Sequence, residues 1–155
     1  MKTIHRRQSG FTLIEAMVSL VVLSVGMIGI AALYAQGLGA SRTATFRTQA
    51  INLVGDMADR IRANRLAQAA YAGAAANNAC DPQNGGGVNC TPQQMAAHDL
   101  FVWNQQVTQQ LPNGQWQIQF NAGALPPAYQ ITISWDEVGQ ALPVQHQMLI
   151  QVPTI

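Results

Sequence analysis

The sequence predicts an α+β protein in which one long N-terminal α-helix packs on a small antiparallel β-sheet. Three observations predict this fold: an uncharged apolar stretch near the N-terminus, a helical apolar stripe after it, and three runs of alternating apolar and polar residues near the C-terminus. The chain has 155 residues, a length typical of one domain with an appendage. Apolar residues make up 48% and charged residues only 10%, so some stretch must be apolar without interruption.

The uncharged stretch covers residues 16–35, twenty consecutive positions without a formal charge. As an α-helix it would be about 30 Å long, which is the thickness of the hydrocarbon core of a bilayer. The leader before it, residues 1–10, contains Lys2, Arg6 and Arg7, and the positive-inside rule places such a basic end in the cytoplasm. The sequence therefore predicts one membrane-spanning helix over residues 11–35.

Glu15 is the one charged residue between Phe11 and Ala35. A carboxylate at the centre of an apolar span costs about 2.5 to 3.5 kcal/mol, and somewhat less near its end, so Glu15 should have a partner. No basic residue follows before Arg42. The nearest candidate is the α-amino group that cleavage after Gly10 would create. Geometry limits that pairing within one chain, so the amine of a neighbouring copy is at least as good a partner, and Glu15 is predicted to act in subunit assembly.

The run RRQSGFTLIE, which ends at Glu15, resembles the processing and methylation site of type IV prepilins. The resemblance implies that a prepilin peptidase and N-methyltransferase in the inner membrane cleaves after Gly10 and methylates the new amine of Phe11. It also implies that Glu15 supports methylation and pairs with the N-terminus of another subunit in the filament. A missing Cβ at Gly10 would let a peptidase pocket approach the backbone closely.

Three further stretches, residues 15–27, 56–64 and 131–137, resemble the minor pilin family called type IV pilus modification protein PilV. This resemblance implies a pilin-like fold, a role in the initiation or modification of pilus assembly, and other minor and major pilins as partners. It also implies a location: a single-pass protein of the bacterial inner membrane, with a cytoplasmic N-terminus and a periplasmic head, which then joins the pilus at the cell surface. Before assembly its partner would be membrane lipid.

The helix is predicted to continue as an amphipathic segment over residues 36–66. No proline occurs before Pro82, so one helix can extend from about Thr12 to about Leu66. Its apolar stripe has helical spacing. The stripe consists of Phe46, Ala50, Leu53 or Val54, Met57 and Ile61. The Asp and Arg residues of this segment can pair at neighbouring helical positions, but the simpler interpretation is a solvated face. The periplasmic head would then comprise residues 67–155.

Residues 67–90 are rich in Ala, Asn, Gly and Pro and are predicted to form a loop. Cys80 and Cys90 are the only cysteines, and their spacing fits neither a redox motif nor a metal site. In an oxidising periplasm we expect them to form a disulfide; free buried thiols are the alternative.

A second helix is predicted from the capping sequence Thr91-Pro92-Gln93-Gln94 to about Gln110, followed by a turn at residues 112–114. Alternation by twos then predicts three strands in an antiparallel meander. Their apolar positions are Trp116, Ile118 and Phe120, then Tyr129, Ile131, Ile133 and Trp135, then Val144, His146, Met148, Ile150 and Val152. The opposite face is rich in glutamine, which favours an ordinary solvated surface over a contact surface.

Several functions are disfavoured by the composition. All eight Lys and Arg residues lie at or before Arg65, so nucleic-acid binding is not expected. His98 and Asp99 are adjacent on a helix and would point in different directions, which disfavours a catalytic triad. We therefore predict no enzymatic activity, no metal and no cofactor. The alternatives to a minor pilin are a pseudopilin of type II secretion and, less favoured, a periplasmic binding domain whose signal is removed near Gln36.

Overall fold

The chain forms two α-helices, one 3₁₀-helix and one three-stranded sheet within residues 10–81 and 89–153, which are the residues that the structure, a computed structural model, describes. The helices are α1 (Leu13–Ala63), the 3₁₀-helix (Arg65–Ala72) and α2 (Pro92–Gln110); the strands are β1 (Gln115–Asn121), β2 (Ala128–Trp135) and β3 (Val144–Gln151). The predicted α+β fold is thus confirmed, with a long N-terminal helix and an antiparallel sheet. The chain divides into two compact units, Met1–Ser41 and Arg42–Ile155, called here the N-terminal and the C-terminal unit.

The helical part of the N-terminal unit is continuous from its first turn. The backbone carbonyl of Thr12 accepts hydrogen bonds from the amides of Glu15 at 3.1 Å and Ala16 at 3.3 Å, so the helix begins immediately after Thr12. It passes through Gly26 and Gly29 without a break. Glycine lowers helix propensity by up to about 1 kcal/mol, but the good helix formers around these two positions maintain the helix.

The C-terminal unit is built around the second part of α1. Its predicted apolar stripe is confirmed, because one side of this part is buried. The buried residues are Ala50, Leu53, Val54, Met57, Ala58 and Ile61. They share one hydrophobic core with α2 and the inner face of the sheet. The indole Nε1 of Trp103 on α2 donates to the carbonyl of Leu53 at 2.8 Å, which fixes α2 against α1 and satisfies the one polar atom of a fully buried side chain.

The 3₁₀-helix corrects the prediction of a loop over residues 67–90. The segment contains no helical repeat of apolar residues, yet Ala67 and Tyr71 are buried in the core. Burial of Ala67 and Tyr71 in the core favours this short helix, which local propensity does not predict. The φ angle of Gln68 is 44°, a left-handed value that kinks the segment. From residue 73 to residue 81 the chain has no regular structure, so the loop prediction is confirmed there.

The second helix begins and ends where the sequence predicts. The hydroxyl of Thr91 accepts from the amide of Gln94 at 3.2 Å, and the side chain of Gln94 accepts from the amide of Thr91 at 2.9 Å, which completes a capping box. After the helix, Asn113 has a φ angle of 49° and Gly114 turns the chain towards β1. A Cβ at Gly114 would lie 2.7 Å from the carbonyl oxygen of Val107, so only glycine fits there.

The sheet has the order β1-β2-β3 with both pairs antiparallel, which is the predicted meander. The register is unbroken from Gln115 opposite Ser134 to Asn121 opposite Ala128, and β2 pairs with β3 in the same regular manner. The predicted inner face is also confirmed, most clearly in β2, where every second residue is buried. The glutamine-rich face is the exposed one along β1 and β3.

Candidate functional site

The predicted processing site lies immediately before α1. Gly10, Phe11 and Thr12 are outside the helix and exposed, with 81% of the Phe11 surface accessible. A Cβ built on Gly10 has no atom within 4 Å. Nothing in the described chain therefore requires glycine at this position. Only contact with another molecule would require a residue this small. The rest of the leader lies outside the described residues.

Glu15 lies in the first turn of α1, where the helix macrodipole stabilises a negative charge by roughly 0.3 to 1 kcal/mol. Its side chain is exposed, and no ion pair to it is found within residues 10–81 and 89–153. Cleavage before Phe11 would create a new N-terminus, and Glu15 lies only one helical turn after it in the sequence. In the monomer it stays available to a neighbouring molecule.

The surface of the N-terminal unit around Glu15 is apolar. Every residue from Gly10 to Arg42 is exposed, and most of the large side chains are aliphatic. They include Leu13, Ile14, Met17, Val18, Leu20, Val21, Val22, Leu23, Val25, Met27, Ile28, Ile30 and Leu33. By length and composition, α1 can cross a membrane. Such a surface is stable in lipid or against other apolar helices, but not in water.

The polar groups within this apolar stretch are satisfied by the helix itself. The hydroxyl of Ser19 donates to the carbonyl of Glu15, and that of Ser24 donates to the carbonyl of Leu20, both at 2.7 Å. These bonds remove the cost of transferring a free hydroxyl into an apolar medium. Gly26 and Gly29 have open space where a Cβ would lie, which permits close approach of another helix.

In the C-terminal unit, a polar network connects three helices around Asp99. Its carboxylate accepts from Arg60 Nη1 at 3.0 Å and from the hydroxyl of Tyr71 at 2.7 Å. Arg60 Nε also donates to Asp56 at 2.9 Å. Burial, and then the hydrogen bond to Asp99, raises the pKa of Tyr71. For Arg60, burial alone would lower the pKa, but its bonds and charges with Asp56 and Asp99 outweigh this and raise it.

This network corrects the interpretation of the α1 charges as a solvated face. That interpretation is correct for Arg62 and Asp59, an exposed pair at 2.8 Å, but wrong for Arg60, which reaches a nearly buried carboxylate on α2. The prediction that His98 and Asp99 point in different directions agrees with the structure, because Asp99 contacts Arg60 and Tyr71 and makes no hydrogen bond to His98.

A second network, not anticipated from the sequence, involves the buried carboxylate of Glu137. Arg47 donates from Nε at 3.1 Å and from Nη2 at 3.2 Å, and the indole of Trp135 donates at 3.2 Å. This bidentate ion pair joins the end of β2 to the second part of α1. The hydrogen bonds to Glu137, and then its negative charge, raise the pKa of the Arg47 guanidinium above its usual value.

The structure pairs Cys80 with Cys90 in a disulfide, with 5.9 Å between the Cα atoms, as predicted. The bond closes the segment that connects the 3₁₀-helix to α2. Among the described residues, no group of three or more His, Cys, Asp or Glu side chains is arranged to hold a metal ion. The remaining notable side chain is His98, whose two buried ring nitrogens make no hydrogen bond with the described residues and whose ring stacks on Phe101.

Two family models match this chain, and together they span residues 5–101. The model of the prokaryotic N-terminal methylation motif matches residues 5–31. A model described as type IV pilin Tt1218 matches residues 32–101. No curated protein and no solved structure matches the chain significantly.

The pilin match ends within α2, so it covers the amphipathic part of α1, the 3₁₀-helix and the disulfide, but not the sheet. It contains every residue of the Asp99 network. The methylation motif contains Gly10, Phe11 and Glu15, the three residues that the sequence predicts for processing and assembly. An N-terminal apolar helix, a match to the N-terminal methylation motif and a disulfide-closed segment similar to a type IV pilin therefore occur in one chain.

Proposed function

We propose that this protein is a minor pilin of the type IV pilus, similar to the type IV pilus modification protein, that takes part in the initiation or modification of pilus assembly. The observation that carries the proposal is the sequence of features at the N-terminus: an exposed Gly10-Phe11 bond, a first-turn Glu15 without an ion-pair partner in the described chain, and an exposed apolar helix. The pilin family match favours the pilus over type II secretion.

In the proposed pathway the chain is first a single-pass protein of the bacterial inner membrane. Its basic leader lies in the cytoplasm and its C-terminal unit in the periplasm, because the positive-inside rule retains the leader. Prepilin peptidase cleaves after Gly10, and the amine of Phe11 is then methylated. The exposure of both residues is consistent with access by an enzyme. The pilin acts as a substrate and a structural subunit and performs no catalysis itself.

Assembly would exchange one apolar environment for another. In the bilayer the aliphatic surface of α1 contacts lipid, and in the filament it contacts the helices of other minor and major pilins, so the hydrophobic effect changes little between the two states. The environment of the Glu15 carboxylate changes most between the two states. In the filament it would pair with the N-terminal amine of an adjacent subunit, which offsets the cost of an unpaired carboxylate in an apolar core.

A series of variants at Glu15 tests this role. We expect Glu15→Ala and the isosteric Glu15→Gln to insert in the membrane and to be cleaved normally, but to be depleted from sheared pili. Glu15→Asp keeps the charge and is expected to retain most incorporation. Immunoblots of membrane and sheared-pilus fractions measure the ratio, with the mass of the membrane-bound form as the control for cleavage. Wild-type incorporation of Glu15→Ala would refute the proposed pairing.

A deletion of the gene separates the proposed pilus role from the type II secretion alternative. Loss of piliation and of twitching with normal secretion supports a pilin. Intact piliation with loss of secretion would instead assign the protein to the secretion system.

A further inference from the structure

β3 forms an open edge of the sheet. It pairs with β2 on one side, and no other strand of the described chain pairs with its second side. Apart from its ladder with β2, no backbone hydrogen bond from residues 144–151 to the described parts of the chain is found. The other edge is different, because β1 lies beside the 3₁₀-helix and α2. Among residues 10–81 and 89–153, the outward amides and carbonyls of β3 are therefore a row of backbone groups without a backbone partner.

Nothing in the sequence of β3 protects this edge. Natural edge strands are usually shielded by lysine, proline, bulges or short length. The sequence VQHQMLIQ contains no Asp, Glu, Lys, Arg, Pro or Gly. Its pairing with β2 continues through eight consecutive residues, from Ala128 opposite Gln151 to Trp135 opposite Val144, without a bulge. The edge is thus long, regular and uncharged, which is the geometry that accepts an added strand.

The side chains of β3 define what kind of strand fits. Its outer face carries Gln145, Gln147 and Gln151 around Leu149, which is 70% exposed. The amide nitrogen of Gln130 on β2 donates to the amide oxygen of Gln147 at 3.1 Å, which is one cross-strand amide pair on this face. A charged side chain opposite β3 would find no counter-charge on that strand. A neutral segment with amide or hydroxyl groups on one face and apolar groups on the other matches both faces.

We propose that the free edge of β3 binds an extended, uncharged segment of a partner polypeptide, which adds to the sheet as a fourth strand. Strand β2 is an example of such a sequence within the molecule. Its apolar and polar residues alternate, and all eight of its residues pair with β3. Backbone hydrogen bonds supply the affinity, and the lack of charge on β3 selects neutral segments. The inference stands apart from the pilin role, because it depends only on the C-terminal unit.

The probe is a capped peptide with the β2 sequence AYQITISW, added to the full-length protein in detergent micelles. Fluorescence anisotropy of the labelled peptide measures binding, and amide hydrogen exchange locates it. We expect saturable binding with slower exchange in β3 and unchanged exchange in β1. The same peptide with proline in place of its Ile131 equivalent lacks a central amide and is expected not to bind.

Two variants of the protein test the location. Leu149→Lys places a charge on the exposed middle of the edge strand and is expected to weaken peptide binding at least tenfold. Gln117→Lys places the same charge on the exposed face of β1 and is expected to leave the affinity unchanged. Three results would overturn the proposal: no saturable binding, equal binding to Leu149→Lys, or self-association of the protein through β3, which would make a second copy the occupant.

Discussion

Replacement of Asp99 by alanine tests how much the polar network contributes to the stability of the C-terminal unit. Asp99 is 9% exposed and accepts one bond from a guanidinium and one from a phenol. Hydrogen bonds to a charged group contribute about 1.5 to 3 kcal/mol each. The loss is not the full sum, because Arg60 retains Asp56 and the hydroxyl of Tyr71 still contacts the carbonyl of Arg60 at 3.2 Å. We expect a loss of about 2 to 4 kcal/mol in the free energy of unfolding.

The assay is guanidinium unfolding of the full-length protein in mild detergent, followed by the tryptophan fluorescence, to which the buried Trp103 and Trp135 contribute. Asp59→Ala is the matched control, because it removes an aspartate that is also paired with an arginine but is exposed. Its expected loss is below about 1 kcal/mol. If the two variants lose the same stability, or if Asp99→Ala unfolds within about 0.5 kcal/mol of the wild type, the network does not stabilise the unit as described.

Two further predictions concern the same unit. Because the pKa of Tyr71 is raised in the folded state, its stabilising effect is complete below the unfolded value of about 10 and decreases as the pH rises above it. The stability difference between wild type and Tyr71→Phe should therefore shrink by about 1.4 kcal/mol between pH 8 and pH 11, and a difference independent of pH would contradict this. For the disulfide, the double variant Cys80→Ala, Cys90→Ala releases a loop with a sequence separation of 10 and should lose about 2.5 to 3 kcal/mol in the same unfolding assay. An unchanged midpoint would show that the bond does not constrain the unfolded chain.

The elements that follow from local chemistry could be predicted from the sequence. The start of α2 is encoded by the capping box of Thr91 and Gln94 and by Pro92 at the first helical position. Its end is encoded by the turn residues Asn113 and Gly114. Each boundary therefore depends on a few neighbouring residues. The strands could be predicted from the strict alternation of apolar and polar residues, because one face of each strand packs on the core.

The features that depend on distant contacts could not be predicted. Arg60 and Asp99 are separated by 39 positions, and Arg47 and Glu137 by 90. On the sequence each of these residues resembles a surface charge, and only the packing of α1, α2 and the sheet makes them partners. The order in the 3₁₀-helix likewise comes from the burial of Tyr71 in the tertiary core.

The roles of Gly10, Phe11 and Glu15 rest on a motif, and the partners that the motif implies are other molecules: a peptidase, a methyltransferase and a neighbouring pilin. A monomer can display their exposure and the absence of internal requirements, such as the open space around Gly10.

The intact mass of the mature protein tests the central claim most directly. The protein should be purified from the membranes and pili of a host that contains a functional prepilin peptidase. We predict a chain that begins at Phe11, is heavier than the unmodified cleaved chain by one CH2 unit because a methyl group replaces a hydrogen, and yields an N-methylated phenylalanine on fragmentation. A chain that retains its leader, or one that begins near Gln36, would contradict the account.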